Sequence, residues 1–456
     1  MKLYAQQIFT DTGWQSDKTL VIEEGVITAI NSGFEEGATR LKGPVIPGMS
    51  NCHSHAFQRA FVGMSEQGSE GQDSFWTWRK VMYGFLGQIN PDQLQTIATQ
   101  LYIEMLKAGY TNVGEFHYLH HQSDGKHYQN LAEMSSQIFK AADNAGIALT
   151  HLPVAYQYSG FGSQPANPGQ CRFINDADQF NQLVSNCFDL SKEYAESRVG
   201  IAPHSLRATD LPMLNDILGH VKSLDASAPI HIHIAEQQQE VNDSLAFSQK
   251  RPVQWLYDNI DVDQHWCLIH ATHLTQSERQ GIAKSKAVAG ICPTTEANLG
   301  DGIFPTTEYL EDDGVIAIGS DSHISVNPIE ELRWLEYAQR LIKQQRAILA
   351  TSEQASVGAN LWQRAVQGGA QSLGRNCDSI SVGKKADLLV LDENKVSLFA
   401  HQSQHILDSF IFASHQNPVR DVFVAGNWVV EDGRHHLEDS SAEQYRNVLK
   451  TLSAAL

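Results

Sequence analysis

The sequence predicts an α/β fold, a (β/α)8 TIM-like barrel with a small β-sandwich domain built from both chain ends. Three observations support this prediction. Eight apolar, β-rich segments alternate with stretches of helical pattern in the middle of the chain. Polar residues capable of chemistry follow nearly all eight segments. Similar strand and turn patterns occur near the two ends.

The two ends of the chain are predicted to pair into the small domain. Residues 20–30 show the pattern of a strand, a glycine turn and a second strand. Residues 386–391 have strand character, and residues 422–430 predict a hairpin around Gly426-Asn427. We therefore assign residues 1–47 and 379–456 to the small β-domain, the latter including a C-terminal helix, and residues 48–378 to the barrel.

The barrel prediction rests on where the eight central segments end. Helical patterns separate them, for example over 92–108 and 210–224. A doubly wound sheet is the alternative, but only a barrel brings the carboxyl ends of all eight strands to one mouth. The predicted strands end near His55, His117, Ala155, His204, Glu236, His273, Glu296 and Ser322.

One helix after the last barrel strand has a clear start signal. Asn327 can cap it, Pro328 suits its first position, and Glu330 is placed almost as in a capping box. An apolar stripe follows at helical spacing and predicts a core-facing surface. The stripe consists of Trp334, Leu335, Ala338 and Leu341.

Composition limits the class of protein. The 456 residues carry a formal net charge of -19, which disfavours nucleic-acid and anionic-membrane partners but does not exclude an anionic small-molecule substrate, because a few local arginines can override the overall field. Six scattered cysteines indicate reduced thiols and a cytoplasmic location. We see no signal peptide and no apolar run approaching the roughly 20 residues of a membrane span.

Histidines and an aspartate at the predicted strand ends form a candidate metal site. His53 and His55 lie two residues apart on strand one, so both rings point to one face. Strand five offers His231 and His233, of which His233 lies nearer the mouth. Strand eight offers Asp321, which is expensive to bury after an apolar run unless it has a partner. Imidazoles and a carboxylate suit Zn²⁺ and also Fe²⁺.

Two segments carry a resemblance to a known family. Residues 45–55 and 382–391 resemble the first-strand metal motif and the late β-segment of the amidohydrolase superfamily. The resemblance is closest to the branch that hydrolyses N-formimino-L-glutamate to N-formyl-L-glutamate and ammonia in histidine degradation. It is carried by residues 53–60, 292–302 and 319–337. Strand four ends Ala202-Pro203-His204-Ser205, without the lysine that bridges two metals in many relatives, so one metal is expected.

The resemblance implies a role for each candidate residue. It implies one Zn²⁺ per subunit, or Fe²⁺, and a homodimer. Asp321 and His270 would take the proton of the attacking water, and Glu236 would pass a proton to the departing ammonia. The implied ligands are His53, His55, His233 and Asp321. The implied contacts to the dicarboxylate substrate are Gln58, Arg79, Tyr118, His204 and Arg207.

Several alternatives stay open at this point. Arg59 and Arg333 compete with the two proposed arginines for the carboxylates. The loop over 62–83 is either a lid or static core. A deaminase acting on a purine or pyrimidine ring is the alternative enzyme. A non-catalytic barrel that serves as a scaffold is the alternative of another class.

Overall fold

The computed structural model describes residues 1–64, 66, 82–400 and 403–454. The chain begins with five strands, and the second and third form a hairpin that turns at Glu24-Gly25. Gly25 has a positive φ of 75°, which suits glycine in a tight turn. These strands are β1 (Lys2–Thr10), β2 (Gly13–Glu23), β3 (Val26–Ser32), β4 (Thr39–Arg40) and β5 (Val45–Pro47).

The middle of the chain alternates between strands and helices. Its strands are β6 (Met49–Ser54), β7 (Tyr110–His117), β8 (Ala148–Ala155), β9 (Ser197–Val199), β10 (Ala202–Pro203), β11 (Ile230–Ile234), β12 (Trp266–His270), β13 (Val288–Ile291) and β14 (Val315–Ile318). Its helices are α1 (Pro91–Ala108), α2 (Glu133–Ala145), α3 (Ala177–Ser191), α4 (Leu211–Leu224), α5 (Gln238–Ser248), α6 (Pro252–Asn259), α7 (Gln276–Ser285), α8 (Pro293–Leu299), α9 (Thr306–Glu311), α10 (Pro328–Lys343) and α11 (Val357–Ser372). Short 3-10 helices span Ala56–Phe61 and Pro168–Gln170.

The last part of the chain returns to the sheet of the first five strands. It contains β15 (Leu388–Leu391), α12 (Ser403–Phe412), β16 (Val419–Val424), β17 (Asn427–Glu431), β18 (Arg434–His435) and α13 (Glu438–Ser453). Nine strands pair in the order β18-β17-β16-β15-β5-β1-β2-β3, with β4 beside β1. The predicted joining of the two ends in one β-structure is confirmed, as is the hairpin between β16 and β17.

The central strands form the predicted barrel. β6, β7, β8 and β10 pair in parallel, with β9 also beside β8, and β11 to β14 form a second parallel sheet. Parallel bridges between Ile201 and Ile230, and between Ser54 and Asp321, join the two sheets at both seams. The short β9 and β10 together occupy the position of the fourth of the eight barrel strands. The second seam lies beside the candidate metal ligands.

A single residue separates the end sheet from the barrel. β5 ends at Pro47, β6 begins at Met49, and Gly48 lies between them. The Gly48 N–H donates to the carbonyl oxygen of Asp387 at 2.9 Å, and a Cβ at Gly48 would lie 2.4 Å from Thr111 side-chain atoms. Because the packing is this close, position 48 requires glycine. The start of β6 is thereby held against both the end sheet and the barrel.

Helix α10 differs in part from its prediction. Asn327 caps it by accepting from the Ile329 N–H at 3.0 Å, but Glu330 accepts from Ser325 Oγ and does not complete a capping box. Of the predicted apolar stripe, Leu335 is buried, whereas Trp334 and Leu341 are 44% and 75% exposed. The prediction of a core-facing stripe was therefore wrong for these two side chains, since the helix buries a different edge.

Among the described residues, none of the helices combines the length and the hydrophobicity needed to span a membrane.

Candidate metal centre and active site

Three histidine rings and one carboxylate meet at the mouth of the barrel. His53 and His55 come from the end of β6, His233 from β11, and Asp321 from the segment after β14. The Nε2 atoms of His53 and His233 lie 2.9 Å apart. Asp321 Oδ1 lies 3.4 Å from His53 Nε2 and 3.3 Å from His55 Nε2. All four side chains are buried. The distances between them show that the four residues predicted from the sequence lie together at one point.

The backbone at these strand ends adopts an uncommon conformation. Non-glycine residues with positive φ follow or end three strands: Ala235 (51°) after β11, His270 (67°) and Ala271 (46°) at β12, and Asp321 (44°) after β14. Such conformations cost energy and persist where the surrounding structure holds them, commonly at functional sites. They turn the chain sharply at the mouth, where His270 and Asp321 contribute their side chains.

The hydrogen bonds of the His55 and His233 rings leave the Nε2 lone pairs directed at the centre of the cluster. His55 Nδ1 donates to the carbonyl oxygen of Phe116 at 2.8 Å, and His233 Nδ1 donates to that of His204 at 3.1 Å. Both Nε2 atoms are therefore unprotonated in the neutral ring, which is the form that binds a metal. His53 Nδ1 is buried without a hydrogen-bond partner among the described residues.

The electrostatics of the cluster also fit a cation. Burial and the neighbouring His55 lower the pKa of His53 to about 3, and burial and His53 lower the pKa of His233 well below its usual range. Although burial alone acts in the opposite direction, the adjoining His53 and His55 rings hold the pKa of Asp321 well below its usual value. Neutral imidazoles beside one carboxylate are a donor set for a divalent cation of the zinc or iron(II) type.

The other histidines near these strand ends have different partners. His231, on the same face of β11 as His233, directs Nε2 to the carbonyl oxygen of Ser372 at 2.7 Å. His273 Nε2 donates to the carbonyl oxygen of Asp301 at 2.8 Å. Neither ring joins the cluster.

His270 lies between three carboxylates. Its Nδ1 is 3.2 Å from Glu296 Oε1, and its Nε2 is 3.8 Å from both Glu236 Oε1 and Asp321 Oδ2. Although burial alone lowers it, these carboxylates hold the pKa of His270 well above its usual value. Burial raises the pKa of Glu236 to about 6, although His270 opposes the shift. The three proton-handling candidates thus lie around one space above the cluster.

One cavity at the barrel mouth is lined by His55, His233 and Asp321 of the candidate metal cluster and by most of the predicted substrate contacts. Gln58, Tyr118, His204 and Arg207 line it together with Glu236, His270 and Asp321. Gln58 Nε2 donates to Tyr118 OH at 3.2 Å. Arg79 lies outside the described residues, as do residues 65 and 67–81 of the 62–83 loop, for which a lid and a static core were both open interpretations.

The two competing arginines are engaged elsewhere. Arg59 Nε donates to Glu104 at 2.8 Å. Arg333 donates to the carbonyl oxygens of Ile411 and Ser414, both at 2.8 Å. Arg207 is thus the predicted carboxylate-binding arginine that the structure places in the cavity.

A buried carboxylate that the sequence analysis missed supports the ligand-bearing segment. Glu115, on β7, accepts from Ser54 Oγ at 2.6 Å and from the Ala56 N–H at 2.7 Å, so it bonds to both neighbours of His55. Tyr102 OH donates to the same carboxylate at 3.0 Å. Glu115 therefore fixes the chain on either side of a ring of the candidate metal cluster.

Aromatic and apolar members of the cavity were also missed. Tyr156, Phe173, Met82 and Leu299 line it. Tyr156 directly follows the last residue of β8, so its position at a strand end was a usable signal. Phe173 lies in a long loop that carries no such signal.

Comparison with known proteins agrees with this geometry. Residues 45–429 match the model of the amidohydrolase family. The chain is 48% identical to formimidoylglutamate deiminase of Pseudomonas aeruginosa over 454 residues, which cover 99% of each protein.

Solved structures show the same fold. A crystal structure of an amidohydrolase from Brucella melitensis superposes with a TM-score of 0.94 at 44% identity, covering 99% of each chain. An adenosine deaminase from Xanthomonas campestris, solved with bound zinc, superposes with a TM-score of 0.79 at 20% identity, covering 99% of this chain and 98% of that one. The latter supports the fold alone. The chain belongs to the amidohydrolase family.

Proposed function

We propose that the protein hydrolyses N-formimino-L-glutamate to N-formyl-L-glutamate and ammonia, a step of histidine degradation. One observation carries the proposal: three of the four candidate metal ligands, the candidate proton-handling residues and Arg207 line one cavity of an amidohydrolase-family chain. The full-length similarity to formimidoylglutamate deiminase supports the choice of substrate. A dicarboxylate substrate also explains why an acidic protein has a buried arginine at the mouth of its barrel.

The ligands that we propose for the cation are His53, His55, His233 and Asp321. We favour one Zn²⁺ per subunit, with Fe²⁺ as the alternative, because the donors are imidazole nitrogens and one carboxylate. When bound, such a cation lowers the pKa of water to about 7 and so supplies hydroxide near neutral pH.

Side chains of this chain handle the protons of the reaction. Asp321 and His270, whose Oδ2 and Nε2 atoms lie 3.8 Å apart, act as a pair on the attacking water: Asp321 accepts its proton, and His270 orients its oxygen towards the amidine carbon. Glu236 hydrogen-bonds the imino nitrogen and passes it the first proton taken from water. As the C–N bond breaks, the remaining proton of the added hydroxyl group follows to the same nitrogen, which leaves as ammonia, and the oxygen of water remains as the formyl carbonyl.

Polar residues of the cavity hold the rest of the substrate. Arg207 and Arg79 bind the two carboxylates, since a guanidinium group offers paired donors that match carboxylate geometry. Gln58, Tyr118 and His204 contribute further donors. Holding both carboxylates fixes the amidine carbon over the proton-handling residues.

The test is ammonia release by protein loaded with Zn²⁺ or Fe²⁺, measured with N-formimino-L-glutamate, guanine and cytosine as separate substrates. We expect turnover of the first compound and none of the two rings. Turnover of a ring substrate alone would replace our assignment with a ring deaminase, and no turnover together with no bound metal would favour a scaffold.

We infer further that the enzyme is a cytoplasmic homodimer. The exposed apolar side chains of Trp334 and Leu341 on α10 support an association surface, because such groups are rarely left in water as a patch. Light scattering on the eluting protein gives the mass in solution. A monomeric mass at micromolar concentration would contradict this inference.

A further inference from the structure

A methionine sulfur contacts two of the side chains that we propose as donors to the substrate. Met82 lies between the 3-10 helix Ala56–Phe61 and α1, and it lines the cavity together with Gln58 and Tyr118. Its Sδ atom accepts from Tyr118 OH at 3.5 Å and from Gln58 Nε2 at 3.8 Å. All three side chains are buried, so these contacts are shielded from bulk water.

The two donors are held in place, whereas the sulfur is free to move. Gln58 Nε2 donates to Tyr118 OH at 3.2 Å. Three other rings pack edge-on against the Tyr118 ring, with centroid separations of 4.9 to 5.2 Å: those of His55, Phe57 and Phe173. A methionine side chain is unbranched and has three rotatable bonds, so it adapts its shape at low cost. The sulfur is therefore the movable member of this group.

All the protons of the two donors are already engaged. Tyr118 has a single O–H proton, which it donates to the sulfur of Met82. Gln58 Nε2 has two protons, of which one is donated to the Tyr118 oxygen and the other to the same sulfur. Neither side chain can donate to a substrate oxygen while these contacts last. The roles that we propose for Gln58 and Tyr118 therefore require the sulfur to leave.

A carboxylate oxygen is a better acceptor than this sulfur. A thioether accepts hydrogen bonds weakly, whereas a hydrogen bond to an ionised acceptor is about twice as strong as one between neutral groups. We propose that Met82 is an internal competitor for a substrate carboxylate, whose sulfur keeps Gln58 and Tyr118 aligned and is displaced when the carboxylate binds. Such competition lowers the affinity for substrate and product alike, and so it favours release of the product.

This inference rests on the proposed function and is tested with two substitutions of opposite expected effect. The ligand is the product N-formyl-L-glutamate, which keeps both carboxylates, and calorimetric titration of metal-loaded protein gives its Kd. Met82→Leu keeps most of the volume but removes the acceptor, so we expect Kd to fall about 3- to 30-fold. Met82→Gln supplies an amide oxygen, a stronger acceptor than the sulfur, so we expect Kd to rise about threefold or more.

Thermal melting separates competition from damage to the fold. Without ligand, Met82→Leu should melt below the unaltered protein, because two buried donors lose their acceptor. Saturating product should remove most of this difference, since it supplies an acceptor to the same donors. Met64→Leu, at an exposed methionine, is the matched control and should behave as the unaltered protein does.

Three results would overturn the inference. They are a Kd for Met82→Leu that is unchanged or higher, a Kd for Met82→Gln that is not raised, and a lower melting temperature of Met82→Leu that the product does not restore. Each of these leaves the proposed function intact when the unaltered protein binds the product and turns over the substrate. Failure of the unaltered protein in both respects would overturn the proposed function, and this inference with it.

Discussion

The carboxylate of Glu296 anchors the imidazole of His270, with 3.2 Å between Oε1 and Nδ1. The same oxygen accepts from the Cys292 N–H at 2.8 Å, so the start of α8 holds the carboxylate in place. Glu296 thereby directs His270 Nε2 towards Asp321 and Glu236. We therefore expect Glu296 to act as a positioning residue in the proposed proton transfer.

Truncation of this anchor should therefore impair the chemical step. We expect Glu296→Ala to lower kcat about 10- to 100-fold with KM changed by less than about threefold. Glu296→Gln retains an oxygen acceptor for both donors and should lose less. Steady-state kinetics measure the split, with the exposed Glu353→Ala as control. Equal losses in both variants would contradict the positioning role.

Two histidines on β11 provide a matched pair for the metal assignment. His233→Asn should lose stoichiometric metal and lower activity by at least about a thousandfold, since it removes an Nε2 lone pair from the cluster. His231→Asn removes a ring that bonds only to the Ser372 carbonyl among the described residues, so metal content should be unchanged. Elemental analysis and ammonia release are the measurements. Loss of metal in His231→Asn alone would reverse the assignment.

The support behind His55 should affect metal affinity. Glu115 accepts three hydrogen bonds, and an amide in its place has an NH₂ group that accepts none. We expect Glu115→Gln to weaken metal binding about 10- to 100-fold, as removal of groups behind metal ligands commonly does. Competition with a chelator measures the dissociation constant. The exposed Glu193→Gln should bind metal as the unaltered protein does.

Arg207 should contribute to binding of the substrate rather than to its chemistry. We expect Arg207→Gln to raise KM by about two orders of magnitude with a smaller change in kcat, because a buried charged pair to a carboxylate is lost. Arg59→Gln is the control, since that guanidinium binds Glu104. A normal KM for Arg207→Gln would show that the carboxylates bind elsewhere.

The barrel and the cluster were predictable because their signals are local. Alternation on β6 places His53 and His55 on one face, and the end of each strand marks the mouth. The same reasoning placed Asp321, because a carboxylate after an apolar strand needs a partner.

The supporting residues were not predictable in this way. Glu115 lies in a strand that is buried throughout, and Glu296 lies within a short helix. Their roles depend on the partners that the fold brings to them, such as Tyr102 for Glu115 and His270 for Glu296. For Trp334 the prediction itself was wrong. The helical spacing predicted a buried side chain, but the neighbouring elements leave it exposed.

The junction at Gly48 has a consequence for how the protein is made. β5, immediately before that junction, pairs with β15, so a ribosome must synthesise the chain through residue 391 before the pairing can form. In a nascent chain that ends before residue 388, β5 has not yet paired with β15. The sheet that adjoins the strand carrying His53 and His55 is therefore incomplete. The capacity to bind the cation tightly is therefore expected to arise late in translation, which delays metal loading until most of the polypeptide has left the ribosome.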